Sequence, residues 1–135
     1  MTILGVGTDV LYLPRMAALV KRRSAGRLAS RILCEREHGH WVSLQNHNDQ
    51  LRFLAVRWCV KEAAYKALQP DLALGWKDIS FLKDPILTNR KPVLHMIREC
   101  TWTVKFHASV SHDGDYVIAM VVAENAAISG CELSS

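Results

Sequence analysis

Apolar and polar positions along this chain change period twice. Thr2 to Val10 is short, apolar and punctuated by glycine, which predicts a strand. Pro14 suits the first turn of a helix. From Arg15 to Leu33 apolar residues recur at Met16, Leu19, Val20, Leu28 and Ile32, near helical spacing, with Gly26 the expected interruption or kink. Ser43 to Gln50 is polar and reads as a loop between helices. A stronger helix is predicted from about Gln50 to Gln69, stopped by Pro70. Phe53, Val56, Val60, Ala63, Ala64 and Ala67 make one apolar face of it. Leu51, Ala55, Trp58 and Cys59 make a second, which continues into Glu62 and Lys66. A helix apolar on two sides belongs in the middle of a fold. Beyond it the period falls to two. Ile79 to Leu82 and Val93 to Ile97 are predicted strands joined by a turn-forming stretch from Asp84-Pro85 to Lys91-Pro92. Trp102, Val104, Phe106, Ala108 and Val110 alternate with Thr103, Lys105, His107 and Ser109 as a half-buried strand. Asp113-Gly114 makes a hairpin turn into a returning strand from Tyr116 to Ala123.

At 135 residues the chain is expected to form a single domain, 1–135, with one core. Half of its residues are hydrophobic and charged residues make up 22%, which argues against disorder. There is no apolar run of membrane-spanning length and no basic-then-apolar secretory signal. Cys34, Cys59, Cys100 and Cys131 show no paired spacing, so free thiols in a reducing, intracellular compartment are expected and a cysteine zinc site is not. The net charge of +4 is uneven. Residues 10 to 34 carry Arg15, Lys21, Arg22, Arg23, Arg27 and Arg31 without an acidic residue. Arg15, Arg23, Arg27 and Arg31 fall at multiples of four and so share a slowly drifting stripe. Such a block faces either solvent or an acidic or phosphate-rich partner.

The candidate chemistry lies in Asp9, at the end of Gly5-Val6-Gly7-Thr8-Asp9, and in Glu62 and Lys66 on the apolar helix. Asp9 alone reads first as a turn or cap residue. Glu62 alone reads as a partner of Lys66 or Arg57. Together they suit Mg²⁺, which takes one or two carboxylates plus substrate phosphates, with Arg57, Lys61 and Lys66 offsetting charge on a departing phosphate. Gly5-x-Gly7 lacks the third glycine of a dinucleotide loop, so a strand-end bend is the plainer account. His112, following Ser109-x-Ser111, is either a surface residue or a phosphate contact. Ser111, His112 and Asp113 cannot form a triad, because neighbours on a strand diverge and no nucleophile elbow surrounds the serine.

Taken in register, Gly5-Val6-Gly7-Thr8-Asp9, Arg57-Trp58-x-x-Lys61-Glu62-Ala63-x-x-Lys66-Ala67 and Ser109-Val110-Ser111-His112 resemble the holo-acyl-carrier-protein synthases, the short 4′-phosphopantetheinyl transferases, from about Ile3 to Ala123. The resemblance implies an α/β (α+β) fold: a strand, helices, then antiparallel strands. It implies a homotrimer with active sites between subunits. It also implies transfer of the phosphopantetheine arm from coenzyme A, the co-substrate, to a serine of acyl carrier protein. Asp9 and Glu62 would hold Mg²⁺ on the pyrophosphate, and Lys66 would contact phosphates. Arg57 and His112 would help hold the 3′-phosphate, His112 from the adjacent subunit, with Lys61 and Ser111 also on the coenzyme. Arg15, Leu19, Arg23, Arg27 and Arg31 would receive an acidic helix of the carrier. Glu62, or a metal-bound water it positions, would be the base.

Three positions depart from the family pattern. Tyr12 stands where many relatives have Glu, Gln69-Pro70 replaces a glycine, and Arg90 replaces another. Tyr12-Leu13-Pro14-Arg15 looks more like the mitochondrial branch, with a cytoplasmic location the alternative. The family-like region starts almost at Met1, so no cleaved presequence is expected, and on the mitochondrial reading the first helix or a truncated start would have to explain import. Two rivals are an inactive scaffold that binds the carrier and a basic nucleic-acid module gripping through residues 15–31. The second is disfavoured by the lack of a stacking aromatic between Arg15 and Arg36. Neither nucleic acid nor membrane is an expected partner.

Overall fold

The computed structural model describes residues 2–84, 86, 91–101 and 103–126. It runs β1 (Thr2–Tyr12), α1 (Leu13–Arg23), α2 (Ala25–Ile32), α3 (Glu35–Ser43), α4 (His47–Leu68), β2 (Ile79–Lys83), β3 (Pro92–Met96), β4 (Val104–Asp113) and β5 (Tyr116–Asn125). This is the expected α+β class. An antiparallel sheet of order β1-β5-β4 packs one face on α4, and β2 pairs with β3 in a second, two-stranded sheet. The two-sided apolar helix is central as its pattern implied, and it starts one turn earlier than predicted, capped by Asn46 on Asn48 N–H. Trp102 and most of the 84–92 turn lie outside the described residues.

β5 shows why the strands alternate. Val117, Ala119, Val121 and Ala123 are fully buried against α4, while Tyr116, Ile118 and Met120 stand on the open face. β1 meets α4 differently. A Cβ added at Gly5 would fall 2.0 Å from Ala67 O, and one at Gly7 would fall 1.8 Å from Ala63 O. The glycines are therefore a strand–helix contact, not a bend, and the strand continues straight through them to Tyr12. A bulge at Ile3/Gly5 is its one irregularity. Two strand residues advance about 6.7 Å and four helix residues about 6.0 Å. Gly5 opposite Ala67, Gly7 opposite Ala63 and Asp9 opposite Cys59 thus stay in step along the seam.

Other boundaries also differ from expectation. The residue 15–33 helix is broken at Ser24, not at Gly26, which sits exposed inside α2. Ser24 has φ 75°, a region unfavourable to residues with a Cβ. Its backbone closes α1 by donating to Val20 O, and its Oγ accepts from Arg27 N to cap α2. α3 occupies a segment without a marked apolar period, and its start is fixed by Glu37, whose Oε1 accepts from Cys34 N at 3.0 Å. Only residues 44–46 remain of the expected 43–50 loop.

Gly7→Ala is expected to cost about 3 kcal/mol or more, since backbone rather than a side chain must move. Gly26→Ala, with nothing within 4 Å, is expected to be neutral or to stabilise by up to about 1 kcal/mol. Urea unfolding of the two variants beside the parent measures the difference.

Candidate functional site

The seam between β1 and α4 sets the chemistry. Asp9 follows Gly7 by two residues, so it lies on the same strand face, turned toward α4. Its carbonyl lies 3.3 Å from Cys59 Sγ. Burial pushes the Cys59 thiol up to about 12, with the Asp9 charge adding to the shift, so it stays protonated and can donate to that carbonyl. Lys66 reaches across from α4 and donates to Thr8 O at 3.1 Å and Asp9 Oδ1 at 3.2 Å. Its ammonium remains half-exposed. The expected Glu62–Lys66 pairing is replaced by this bond to β1, and Glu62 makes no hydrogen bond or ion pair to any described residue.

Glu62 is nevertheless electrostatically tied to Asp9. Burial raises its carboxyl above the ordinary 4.5, the neighbouring Asp9 charge raises it further, and Lys66 opposes both. Two carboxylates thus share one ammonium at the end of a cleft of about 460 Å³. Arg15, Arg22 and Arg23 of α1, together with Leu19 and Trp58, line the rest. Among the described residues no group of three or more His, Cys, Asp and Glu comes together. The donor set is therefore two carboxylates, short of charge compensation and open to a cleft. That fits a hard divalent cation whose shell is completed by phosphate oxygens and water.

Several expected site residues lie elsewhere. Lys61 is buried and donates to Glu37 Oε1, Ile32 O and Trp76 O, so its assignment to a phosphate is corrected. An ammonium has three protons, and all three are used. Arg57 is five residues from Glu62, about 140° around the helix. Its Nε and Nη2 donate to Phe81 O at 3.1 and 2.9 Å, with the guanidinium 3.7 Å over the Phe53 ring. Burial lowers it to about 10, against the Glu37 charge. Within one chain it tethers β2 and does not line the carboxylate cleft, while its Nη1 makes no hydrogen bond to a described residue.

Ser111 and His112 lie on β4, with β5 between them and β1, about 10 Å from the Asp9 strand. Ser111 shares a row with Ile118 and Val10 on the open face, and His112 shares one with Val117 and Leu11 on the opposite face. The two are not brought to the carboxylates of their own chain.

Of the basic stripe, Arg15, Leu19 and Arg23 line the cleft. Arg31 lines a smaller one beside it, and Arg27 is exposed on α2. Arg22 was missed as a site residue because only intervals of four were followed. At i+7 from Arg15 it lies within about 20° of the same face.

The sequence profile of the 4′-phosphopantetheinyl transferase superfamily matches residues 5–121. A holo-[acyl-carrier-protein] synthase from Mycoplasmoides gallisepticum is 33% identical over 124 residues, covering 90% of this chain and 97% of that one. Among solved structures, the Bacillus anthracis holo-(acyl-carrier-protein) synthase in complex with CoA (3′,5′-ADP) is similar at TM-score 0.72. It is 27% identical, covering 93% of this chain and all of that one. The Helicobacter pylori holo-[acyl-carrier-protein] synthase in complex with coenzyme A is similar at TM-score 0.68. It is 28% identical, covering 88% of this chain and 99% of that one.

Because Glu62 is raised above 4.5 in the fold, its ionisation opposes folding at neutral pH. That opposition fades as pH falls through the raised value toward 4.5. Glu62→Gln is therefore expected to melt at or slightly above the parent at pH 7, with the gap closing toward pH 4.5, in thermal melts without divalent metal. A variant melting well below the parent at pH 7 would make Glu62 a structural partner instead.

Proposed function

The chain belongs to the 4′-phosphopantetheinyl transferase superfamily, and from that footing we propose how its residues do their work. It transfers the 4′-phosphopantetheine arm of coenzyme A to a serine of apo acyl carrier protein, with adenosine 3′,5′-bisphosphate as the other product. The observation that carries this is the meeting of Asp9 and Glu62 at one end of an arginine-lined cleft.

Asp9 and Glu62 would hold Mg²⁺, which when bound supplies positive charge against the pyrophosphate oxygens. Lys66, half-exposed and joined to Asp9 by a single bond, is placed to swing onto a phosphate oxygen. The attacking serine comes from the partner protein, so the chain needs no nucleophile of its own. Glu62, or a water it positions, would accept the serine proton as general base. The serine oxygen bonds to the β-phosphorus as the bond to the bridging oxygen breaks, and the bisphosphate leaves with the electron pair. Holding the reactants in line and screening charge is most of what the protein contributes to such a transfer.

The stripe of Arg15, Leu19, Arg23, Arg27 and Arg31 would receive an acidic helix of the carrier. It borders the cleft, and α1 and α2 carry no acidic residue to repel one. A nucleic-acid module would have no use for a paired carboxylate beside its arginines.

Assembly into a homotrimer is supported by the open face of the three-stranded sheet. Ile3, Val6, Val10, Tyr12, Tyr116, Ile118 and Met120 share it, each 44–62% exposed. Scattered apolar residues on a surface are ordinary, but a contiguous sheet of them marks an interface. A neighbour packed there would bring its own β4, and with it Ser111 and His112, toward this chain's coenzyme.

Intact-mass analysis of apo carrier protein incubated with this chain, coenzyme A and Mg²⁺ is expected to show a gain of one phosphopantetheine. The gain is expected to vanish with Glu62→Ala while the circular dichroism is kept. Normal turnover by that variant would remove Glu62 from the chemistry. Ile118→Asp, placing a charge in the middle of the open face, is expected to sediment as a monomer and lose transfer. An unchanged assembly would mean that another surface holds the copies together.

A further inference from the structure

We infer that Lys61 is a positioning residue for the carrier-protein groove, acting through its buried pair with Glu37. This deepens the docking proposal for α1 and α2 and rests on it. Lys61 is 3% exposed, and its ammonium donates to Glu37 Oε1 at 2.5 Å, Ile32 O at 2.9 Å and Trp76 O at 2.8 Å. Glu37 is fully buried and accepts in addition from Cys34 N and Phe81 N, each at 3.0 Å. Every element around α4 on this side is therefore tied to one pair of charges: the end of α2, the start of α3, the loop before β2, and β2 itself.

Two of these ties bear on function. Ile32 is the last residue of α2, and Trp76 stands in the loop before β2. Both line a cleft of about 100 Å³ together with Arg23 and Arg31 of the basic stripe. Trp58 of α4 packs on Trp76 there, ring centroids 5.0 Å apart. One ammonium thus fixes where α2 ends, and with it where Arg31 stands. A cation is also the natural partner for carbonyls at a helix C-terminus. The residue that follows Lys61, Glu62, faces the carboxylate cleft. A single turn of α4 therefore carries both the acid that receives the acceptor's proton and the post that sets where the acceptor's protein rests. A buried ion pair is demanding in geometry, and removing one partner is far more damaging than removing both.

Steady-state transfer kinetics with coenzyme A and apo carrier protein varied separately test this. Lys61→Met alone strands Glu37 without its counter-charge and can unfold the chain. Lys61→Met combined with Glu37→Gln removes both charges and keeps an oxygen to cap α3. The double variant is expected to unfold cooperatively and to keep its KM for coenzyme A within about twofold. Its KM for the carrier is expected to rise by about tenfold, the size of effect a supporting residue has at a distance. A tenfold rise in KM for coenzyme A, or an unchanged KM for the carrier, overturns the inference. Arg27→Glu in the otherwise unaltered chain separates the two layers. If it leaves the carrier KM unchanged, the docking proposal fails and this inference with it. If it raises that KM and the double variant does not, only the role given to Lys61 fails.

Discussion

How near the backbone of β1 can come to α4 governs the rest of the molecule. Gly5 and Gly7 lie so close to the carbonyls of Ala67 and Ala63 that not even a methyl group fits. Interiors pack too tightly to absorb such an intrusion cheaply. The near match between two residues of strand and four of helix keeps the contact in register. Asp9 and Glu62 gain their proximity from that register: Asp9 is the next position on the strand face after Gly7, opposite Cys59, and Glu62 lies three residues from Cys59, about one turn along α4. Larger residues at the two glycines would push the strand away and separate the carboxylates without touching either.

Proximity of like charges has its own logic. The Asp9 charge raises the cost of ionising Glu62, Lys66 compensates in part, and the arginines of α1 stand across the cleft. Such an uncompensated pair costs stability in the free protein, and the proposed cation would return that stability on binding. On the other side of α4, Lys61 and Glu37 are the reverse case, a charge pair closed off from solvent and satisfied within the chain.

Much of this was legible in the residues. The helix apolar on two sides and the alternating strands follow from period and the structure keeps them, while the hairpin loop falls one residue later than read, at Gly114-Asp115, with Asp113 still paired to Tyr116. Asp9, Glu62 and Lys66 stand out because charges on apolar elements are rare. What could not be read were relations set by distant partners. Lys61 and Glu62 are adjacent and equally conspicuous, yet one is sealed by Glu37, 24 residues earlier, and the other opens to a cleft. Glu37 itself gave little sign, because Cys34 is a poor cap by type and α3 has no strong apolar stripe. The break at Ser24 was hidden for a related reason. Gly26 is the obvious breaker, but a serine that can cap the next helix makes the turn there instead. The glycine pair was underread because a close approach to a helix leaves no mark on the strand's own pattern.

The open apolar face of the β1-β5-β4 sheet has a consequence for how cells make this protein. If that face is the proposed contact between copies, a newly synthesised copy can fold completely and still be adhesive until it meets others of its kind. Its fate then turns on a race between like encountering like and capture by any other greasy surface, so dilution favours loss and abundance favours survival. Yield of working enzyme should therefore climb more steeply than the rate of synthesis.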